Sequence, residues 1–417
     1  MNVLIDLAAR RYPVLFALAT RHLHLTLAAI AGLFIALALT LWARQIVTSD
    51  ELFTSAGPII GGDFIVFQHV AAASGGGDLA ALYEMETLKA QLEAKYPGRG
   101  AMNFGWMYPP TMFLFIAPFG DGPYLVSYAA WVIAFAAIFL IVLYRLWPER
   151  LALFFVSSSP AFFAAVITGQ NGFLTASLIA IAGGFAEKRP VLAGLAAGLL
   201  TIKPQLGILL PVAFIAAGCW RAFAAAAATA IALAALSVVA FGADLWVAFI
   251  EGLTTHGARL ATDVFPFEKL VTPFGFAAVI GLPATTASAV QALASICLAG
   301  YVFIVWRRVE APDIRLAALA TAAIMATPYA FYYEFIIVAP AIVLVARRAL
   351  ATSWLRGEKL SLIALWLLTL EAPGTDEIPS IPVSALSALL AAAIVARRAL
   401  PAAGVRFASA SAPATAG

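Results

Sequence analysis

The sequence predicts an all-α protein that crosses a membrane many times. Of its 417 residues, 63% are hydrophobic and only 11% are charged, and the mean hydropathy is +0.96. Ordinary soluble domains carry about 25% charged residues. Apolar stretches of membrane-crossing length recur along the chain, among them 25–41, 222–241 and 287–306. We therefore exclude a soluble enzyme and expect about 10–13 transmembrane or half-membrane helices in one domain over residues 1–400.

Basic residues mark one side of this membrane domain. Arginine and lysine pairs recur at the ends of apolar stretches, for example Arg10-Arg11, Lys188-Arg189 and Arg397-Arg398. Short basic loops stay in the cytoplasm, and anionic membrane lipid explains such a surface better than nucleic acid does. The acidic segments 50–93 and 244–268 then face outwards. The pattern predicts a multi-pass membrane protein in which any chemistry takes place at the outer face of the membrane.

The first part of the chain is predicted to form one span and a large outer loop. The span covers residues 25–43 and leads into the first outer loop, 45–107. Apolar residues at helical spacing in this loop predict amphipathic helices that lie in the membrane interface, separated by the glycine-rich residues 74–77. Pro109-Pro110 then opens a short apolar helix, because proline is tolerated in a helix's first turn.

Short, closely spaced apolar segments follow. Broken helices at membrane depth occur where protein or a watery cavity surrounds them. A second outer loop is predicted at 243–271 and a half-helix at 272–283, and the Ala/Ser-rich residues 401–417 predict a disordered cytoplasmic tail. The short segments are 151–168, 171–186, 190–202 and 205–219, and outer turns are predicted at 327–334 and 371–380.

Asp63 is the residue at which we expect chemistry. It lies in Gly61-Gly62-Asp63-Phe64, close to the bilayer, with no lysine or arginine nearby in the sequence. Either its side chain caps the helix that begins at Phe64, or it acts as a base. Partial removal from water would raise its pKa, which suits the abstraction of a proton from a hydroxyl.

Three further polar residues lie between apolar helices at the outer boundary. The amides of Gln170 and Asn171 either satisfy backbone groups at helix ends or bind sugar hydroxyls or a phosphate. Lys203 lies on the side opposite to the basic loops, and Pro204 places it at a helix break. We expect Lys203 to bind an anionic group.

Two other outer segments carry polar candidates. His256 and Arg259 share a helix face, either as phosphate ligands or as a surface pair. Glu334 lies at the mouth of an apolar helix and could pair with Lys203 or Arg259, whereas Tyr329 is typical of a membrane-boundary anchor. The absence of P-loop, GxSxG and HExxH motifs argues against a nucleotide-driven pump or a metalloprotease.

Eight short blocks, in consistent order over most of residues 25–350, resemble glycosyltransferase family 87, whose membrane fold is that of the type C glycosyltransferases. One departure is Tyr333-Glu334, where the family pattern has Tyr-Asp, although the longer side chain keeps the charge. The blocks are Gly62-Asp63-Phe64, Leu82-Tyr83, Tyr108-Pro109-Pro110, Ser159-Pro160, Gly169-Gln170-Asn171, Ala193-Gly194 with Lys203-Pro204-Gln205, Thr272-Pro273-Phe274-Gly275, and Thr327-Pro328-Tyr329 with Tyr333-Glu334.

The resemblance implies inverting transfer of a hexose, with mannose as the family's known theme, from a polyprenyl-phosphate-linked donor to a lipid or glycan hydroxyl. We expect this transfer at the outer face of the bacterial inner membrane, with the active site facing the periplasm or cell exterior. No cofactor is required, and a divalent metal is not indicated, because Lys and Arg can stabilise a single lipid phosphate. The implied roles are Asp63 as catalytic base, Lys203, Arg259 and His256 as donor-phosphate ligands, and Gln170, Asn171, Tyr108 and Glu334 in the sugar and acceptor site.

Two alternatives stay open at the level of sequence. In a transporter or flippase of a lipid-linked sugar, Asp63 would be a gate, but the internal repeats typical of transporters are not found. A ligase or polymerase that uses polyprenyl-diphosphate glycans shares the same physical features.

Overall fold

The computed structural model describes residues 23–54, 57–99, 104–259, 265–369 and 382–405. Within these ranges the chain is helical, and paired extended backbone is limited to isolated bridges. The α-helices are α1 Leu23–Val47, α2 Phe64–Ala73, α3 Met85–Lys95, α4 Phe113–Ile116, α5 Tyr124–Leu146, α6 Arg150–Ser157, α7 Pro160–Ile167, α8 Gly172–Gly184, α9 Pro190–Leu199, α10 Leu210–Ala217, α11 Trp220–Phe241, α12 Asp244–Arg259, α13 Pro273–Val279, α14 Ala284–Arg308, α15 Pro312–Met325, α16 Ala339–Ala351, α17 Glu358–Leu368 and α18 Val383–Ala402.

Five helices in the described ranges are long and apolar enough to cross a membrane, namely α1, α5, α11, α14 and α18. Helices α6 and α7 meet at a bend of 57° and add a sixth crossing if they count as one broken span. Shorter apolar helices lie between these spans. The predicted fold class, an all-α polytopic membrane protein, is confirmed.

Helices α8 and α15 form the buried centre of the bundle. In α8 every residue from Gly172 to Ala180 is buried, and in α15 every residue from Arg315 to Met325 is buried. Helix α8 packs against α5, α9 and α15. A helix that is apolar on nearly all sides belongs in a core, so both helices are enclosed by protein. For α8 this agrees with the expectation for the short segment 171–186.

Small residues bring α9 and α11 into close contact. A β-carbon added at Gly194 would lie 2.4 Å from the carbonyl oxygen of Ala222, and one at Gly198 would lie 2.4 Å from Cβ of Thr229. Glycine in membrane helices permits such close approach of backbones. The packing fixes the end of α9, one 3₁₀ turn before Lys203.

The predicted first outer loop contains two α-helices, and one of them differs from the expectation. Helix α3 buries Leu88 and Leu92 and leaves its polar side chains outside, as an amphipathic helix should. Helix α2 is instead buried on nearly all sides, and it packs against α4 and α5. Its apolar residues face every direction, so α2 is part of the core.

Two other predicted segments are partly helical, and α18 extends to Ala402, into the tail that is predicted to be disordered from residue 401. Helix α12 fills much of the loop predicted at 243–271, and α13 is the half-helix expected at 272–283. The predicted outer turn at 371–380 and most of the predicted tail, residues 406–417, lie outside the described residues.

Candidate active site

The candidate site lies where separated chain segments meet at one end of the bundle. Asp63 precedes α2, and Tyr108 precedes the short helix that begins at Pro110. Gln170 lies just before α8, and Lys203 lies between two single 3₁₀ turns that follow α9. Glu334 belongs to a 3₁₀ helix that leads into α16. Five of the residues proposed from sequence are therefore close together, although they come from five parts of the chain.

A close contact between two glycine-containing turns positions Asp63. The backbone N–H of Asp63 donates to the carbonyl oxygen of Thr168 over 2.9 Å. Gly169 has φ +58°, and a β-carbon there would lie 2.5 Å from the carbonyl oxygen of Gly61. Only glycine fits such a left-handed, crowded position without strain, and this packing sets the Asp63 carboxylate beside Gln170.

The Asp63 side chain does not cap α2. Its Oδ2 accepts a 2.5 Å hydrogen bond from Nε2 of Gln170, which lies 107 residues later in the sequence. Among the described residues, Gln170 is the only hydrogen-bond donor to this carboxylate. The side chain is half-buried, so Oδ1 remains accessible to another donor.

A chain of hydrogen bonds fixes the orientation of the Gln170 amide. Nζ of Lys203 can only donate, and it lies 3.4 Å from the hydroxyl of Tyr108. The Tyr108 hydroxyl in turn donates to Oε1 of Gln170 over 2.9 Å. Burial raises the pKa of Tyr108 to about 12, so it stays a neutral donor. The Gln170 NH₂ group therefore points at Asp63 and favours an acceptor there.

Lys203 and Glu334 form a buried ion pair. Their residues are 5% and 1% exposed. Lys203 also lies 3.3 Å from Oδ1 of Asn171, and Glu334 accepts from the backbone N–H of Phe331 over 3.1 Å. The predicted alternative in which Glu334 pairs with Lys203 is confirmed. The Lys203 charge is thus compensated within the protein, and its role as a donor-phosphate ligand stays a prediction.

Opposing effects act on the pKa of Asp63. Burial is the largest and raises it, whereas the Gln170 hydrogen bond and the positive charges of Lys203 and Lys269 lower it. The net result is a pKa above the usual range of an aspartate. Such a carboxylate is a stronger base than a solvated one, which suits proton abstraction from a hydroxyl.

Lys269 is a further candidate residue, because its charge lowers the pKa of Asp63, and the sequence analysis does not name it. It ends the 3₁₀ helix Phe267–Lys269 and is half-buried. The N–H of Val271 donates to the carbonyl oxygen of Ala330 over 2.9 Å, which holds this segment against the turn that leads to Glu334. A lysine in a predicted outer loop violates the positive-inside pattern. The same observation singled out Lys203 in the sequence and could have singled out Lys269.

Aromatic rings form a wall beside the carboxylate. Ring centroids lie 5.7 Å apart for Phe265 and Tyr329, 5.1 Å for Tyr329 and Phe331, and 5.4 Å for Phe331 and Tyr333. Burial raises the pKa values of Tyr329 and Tyr333, and the negative charge of Asp63 raises them further. Both hydroxyl groups are therefore within electrostatic range of that carboxylate. Tyr329, which the sequence analysis interprets as a membrane anchor, is therefore a further candidate for the site.

Other candidates are less well placed or fall outside the description. The helical backbone of α12 includes His256 and Arg259, but their side chains lie outside the described part, so their phosphate-binding role stays a prediction.

Within the described ranges, no group of three His, Cys, Asp or Glu residues is close enough to hold a metal ion. Nδ2 of the fully buried Asn171 has no hydrogen-bond partner there.

Comparison with known proteins assigns a family to this arrangement. The sequence model of glycosyltransferase family 87 matches residues 106–328, which is more than half of the chain. Neither a curated protein nor a solved structure matches the chain. The matched range contains Tyr108, Gln170 and Lys203, whereas Asp63 precedes it. The chain therefore belongs to glycosyltransferase family 87.

Proposed function

We propose that this multi-pass membrane glycosyltransferase takes its sugar from a polyprenyl-phosphate-linked hexose, with mannose as the first choice. The acceptor is a hydroxyl of a lipid or glycan, and transfer takes place at the outer face of the bacterial inner membrane with inversion at the anomeric carbon. The observation that carries the proposal is the half-buried Asp63 carboxylate, oriented by Gln170 at one end of an apolar bundle.

The position of the site favours a lipid-linked donor over a nucleotide sugar. The polar residues of the site lie at the ends of apolar helices, where a membrane lipid can present its headgroup. The sequence has no glycine-rich phosphate-binding motif of the kind that nucleotide sites use. A polyprenyl chain can stay in the bilayer while its phosphate and sugar reach Asp63.

The proposed reaction is a single displacement. Oδ1 of Asp63 accepts the proton of the acceptor hydroxyl as that oxygen attacks the anomeric carbon from the face opposite the phosphate. The new glycosidic C–O bond forms while the bond between the anomeric carbon and the phosphate oxygen breaks. Polyprenyl phosphate leaves with the bonding electron pair, and the proton remains on Asp63 until solvent removes it.

We assign the donor phosphate to Lys269, with Lys203 as a second ligand. Lys203 is buried and paired with Glu334, and separating this pair would cost about 3–5 kcal/mol. Lys269 is half-buried, and its positive charge lowers the pKa of Asp63. His256 and Arg259, in the preceding helix, are further candidates for the same phosphate. Lys203 also holds Tyr108 and, through it, Gln170.

The remaining residues are proposed to bind the sugar and the acceptor. The half-buried ring of Tyr329 offers a flat surface on which the apolar face of a hexose can pack. Nδ2 of Asn171 is a buried donor without a partner among the described residues, a costly state unless a polar ligand satisfies it. Tyr108 and Glu334 complete the polar network that surrounds this position.

The test uses the purified protein, a polyprenyl-phospho-mannose donor and candidate acceptors. We expect release of polyprenyl phosphate that requires both the acceptor and Asp63. The Lys269→Gln variant should raise KM for the donor about tenfold or more, whereas the control Lys89→Gln in α3 should not. Movement of intact donor across vesicles without any release would contradict the proposal and favour a flippase.

A further inference from the structure

A cavity of about 420 Å³ lies at the end of the bundle opposite the candidate active site. Helix α8 begins beside Asn171 in the site and ends at Gly184 in the cavity wall, about 20 Å away by helical rise. Helix α15 runs the other way, from Pro312 at the cavity towards Thr327 and the site. The volume falls within the range of about 300–1,000 Å³ that is typical of ligand pockets.

The cavity wall combines cations with apolar side chains. Four basic residues line it, against one carboxylate, that of Asp313. The apolar part of the wall includes Phe185, Leu316 and Leu344. The basic residues are Arg145, Lys188, Arg347 and Arg348.

Three of these four cations have no compensating charge among the described residues. Arg348 binds Asp313 through two hydrogen bonds of 2.9 and 2.6 Å, so that pair is neutral. Arg347 donates to the carbonyl oxygen of Leu146 over 2.7 Å and keeps its charge. In the described part of the chain, Arg145 and Lys188 have no ion pair, and both are exposed. Three positive charges therefore surround a cavity with a partly apolar wall.

We propose that this cavity is a binding site for the phosphate of an anionic lipid headgroup. The guanidinium groups of Arg145 and Arg347 and the ammonium group of Lys188 bind phosphate oxygens, for which arginine has matching geometry. Phe185 and Leu316 contact the glycerol and the first carbons of the acyl chains. Basic pockets between membrane helices recognise lipid headgroups in this way. The proposal is independent of the sugar donor.

A generally basic membrane face is the competing explanation, and the chain offers a matched control for it. Arg307 and Arg308 end α14, are exposed, and lie next to the start of α15 at the same end of the bundle. They do not line the cavity. Removing either pair of charges changes the net charge of this face equally, but only one pair belongs to the cavity.

The test measures lipid retention by native mass spectrometry on the full-length protein in detergent. The probes are phosphatidylglycerol, diacylglycerol with the same acyl chains, and inorganic phosphate. We expect wild type to retain phosphatidylglycerol and not diacylglycerol. The double variant Arg145→Gln/Lys188→Gln should lose affinity for phosphatidylglycerol about tenfold or more, whereas Arg307→Gln/Arg308→Gln should stay near wild type. Because all four residues are exposed, the unfolding temperature of both double variants should equal that of wild type.

Each contrary result has a definite meaning. Equal loss of phosphatidylglycerol in both double variants would overturn the proposal in favour of adsorption to a basic surface. Equal retention of diacylglycerol would show an apolar groove with no role for phosphate. Displacement of phosphatidylglycerol by millimolar inorganic phosphate, dependent on the same cations, would assign the cavity to free phosphate and overturn the lipid.

Discussion

Replacement of Asp63 by asparagine should abolish most of the transferase activity while leaving the protein folded. The asparagine can present its carbonyl oxygen to Nε2 of Gln170, so the 2.5 Å hydrogen bond that orients the side chain is kept. The half-buried position gains no charge and loses no volume. We therefore expect a change in the free energy of unfolding of less than about 1 kcal/mol.

The magnitude of the activity loss follows from what asparagine cannot do. With its oxygen facing Gln170, its NH₂ group occupies the accessible position that Oδ1 has in wild type, and this group cannot accept a proton. General base catalysis contributes about 10²–10⁴ in rate. Turnover should fall by the same factor, which corresponds to about 3–5 kcal/mol in activation free energy.

The assay is the acceptor-dependent release of polyprenyl phosphate under saturating donor, with donor affinity measured separately. Affinity should survive in Asp63→Asn, because the change removes basicity and not the phosphate ligands. Asp78→Asn is the matched control, since Asp78 lies in the same predicted outer loop, is exposed and only accepts backbone hydrogen bonds from its own turn. Near-normal turnover by folded Asp63→Asn protein would refute the role of Asp63 as base.

The other predictions concern pH, the buried ion pair and sidedness. Because the base must be ionised and burial raises the pKa of Asp63, kcat/KM should rise with pH through a midpoint above that of a solvated aspartate. Gln170→Leu should move this midpoint higher, since it removes a hydrogen bond that lowers the pKa; an unmoved midpoint would assign the titration to another group. Lys203→Met should lower the free energy of unfolding by about 3–5 kcal/mol, because Glu334 is left buried and unpaired. The double variant Lys203→Met/Glu334→Gln should recover most of this stability, as measured by thermal unfolding. Equal stability of single and double variants would contradict the pairing. In a background without the native cysteines, a cysteine at position 78 should react with an impermeant reagent outside intact spheroplasts and one at 188 should not; equal labelling would reverse the charge-derived topology.

The sequence by itself determined the membrane class, the helical segments and the family. Long apolar stretches predict membrane spans, because a helix needs about 20 consecutive apolar residues to cross a bilayer. Proline and glycine marked where helices begin and end, as at Pro110 and in the break after α2. Short polar blocks between apolar helices gave the family and most of the candidate site, because polar residues at such positions are costly and therefore few.

Only the tertiary structure decided which of these residues act on one another. Gln170 lies 107 residues from Asp63, and nothing in the sequence pairs them or excludes the helix cap that Asp63 could have formed instead. Sequence placed Lys203 at a helix break but left its anion open, and the fold supplies Glu334. The fold also distinguishes α2, which is buried on nearly all sides, from α3, which buries one face. Apolar residues at helical spacing do not show whether lipid or protein covers them. Contacts of this kind depend on how distant helices pack, which local pattern does not encode.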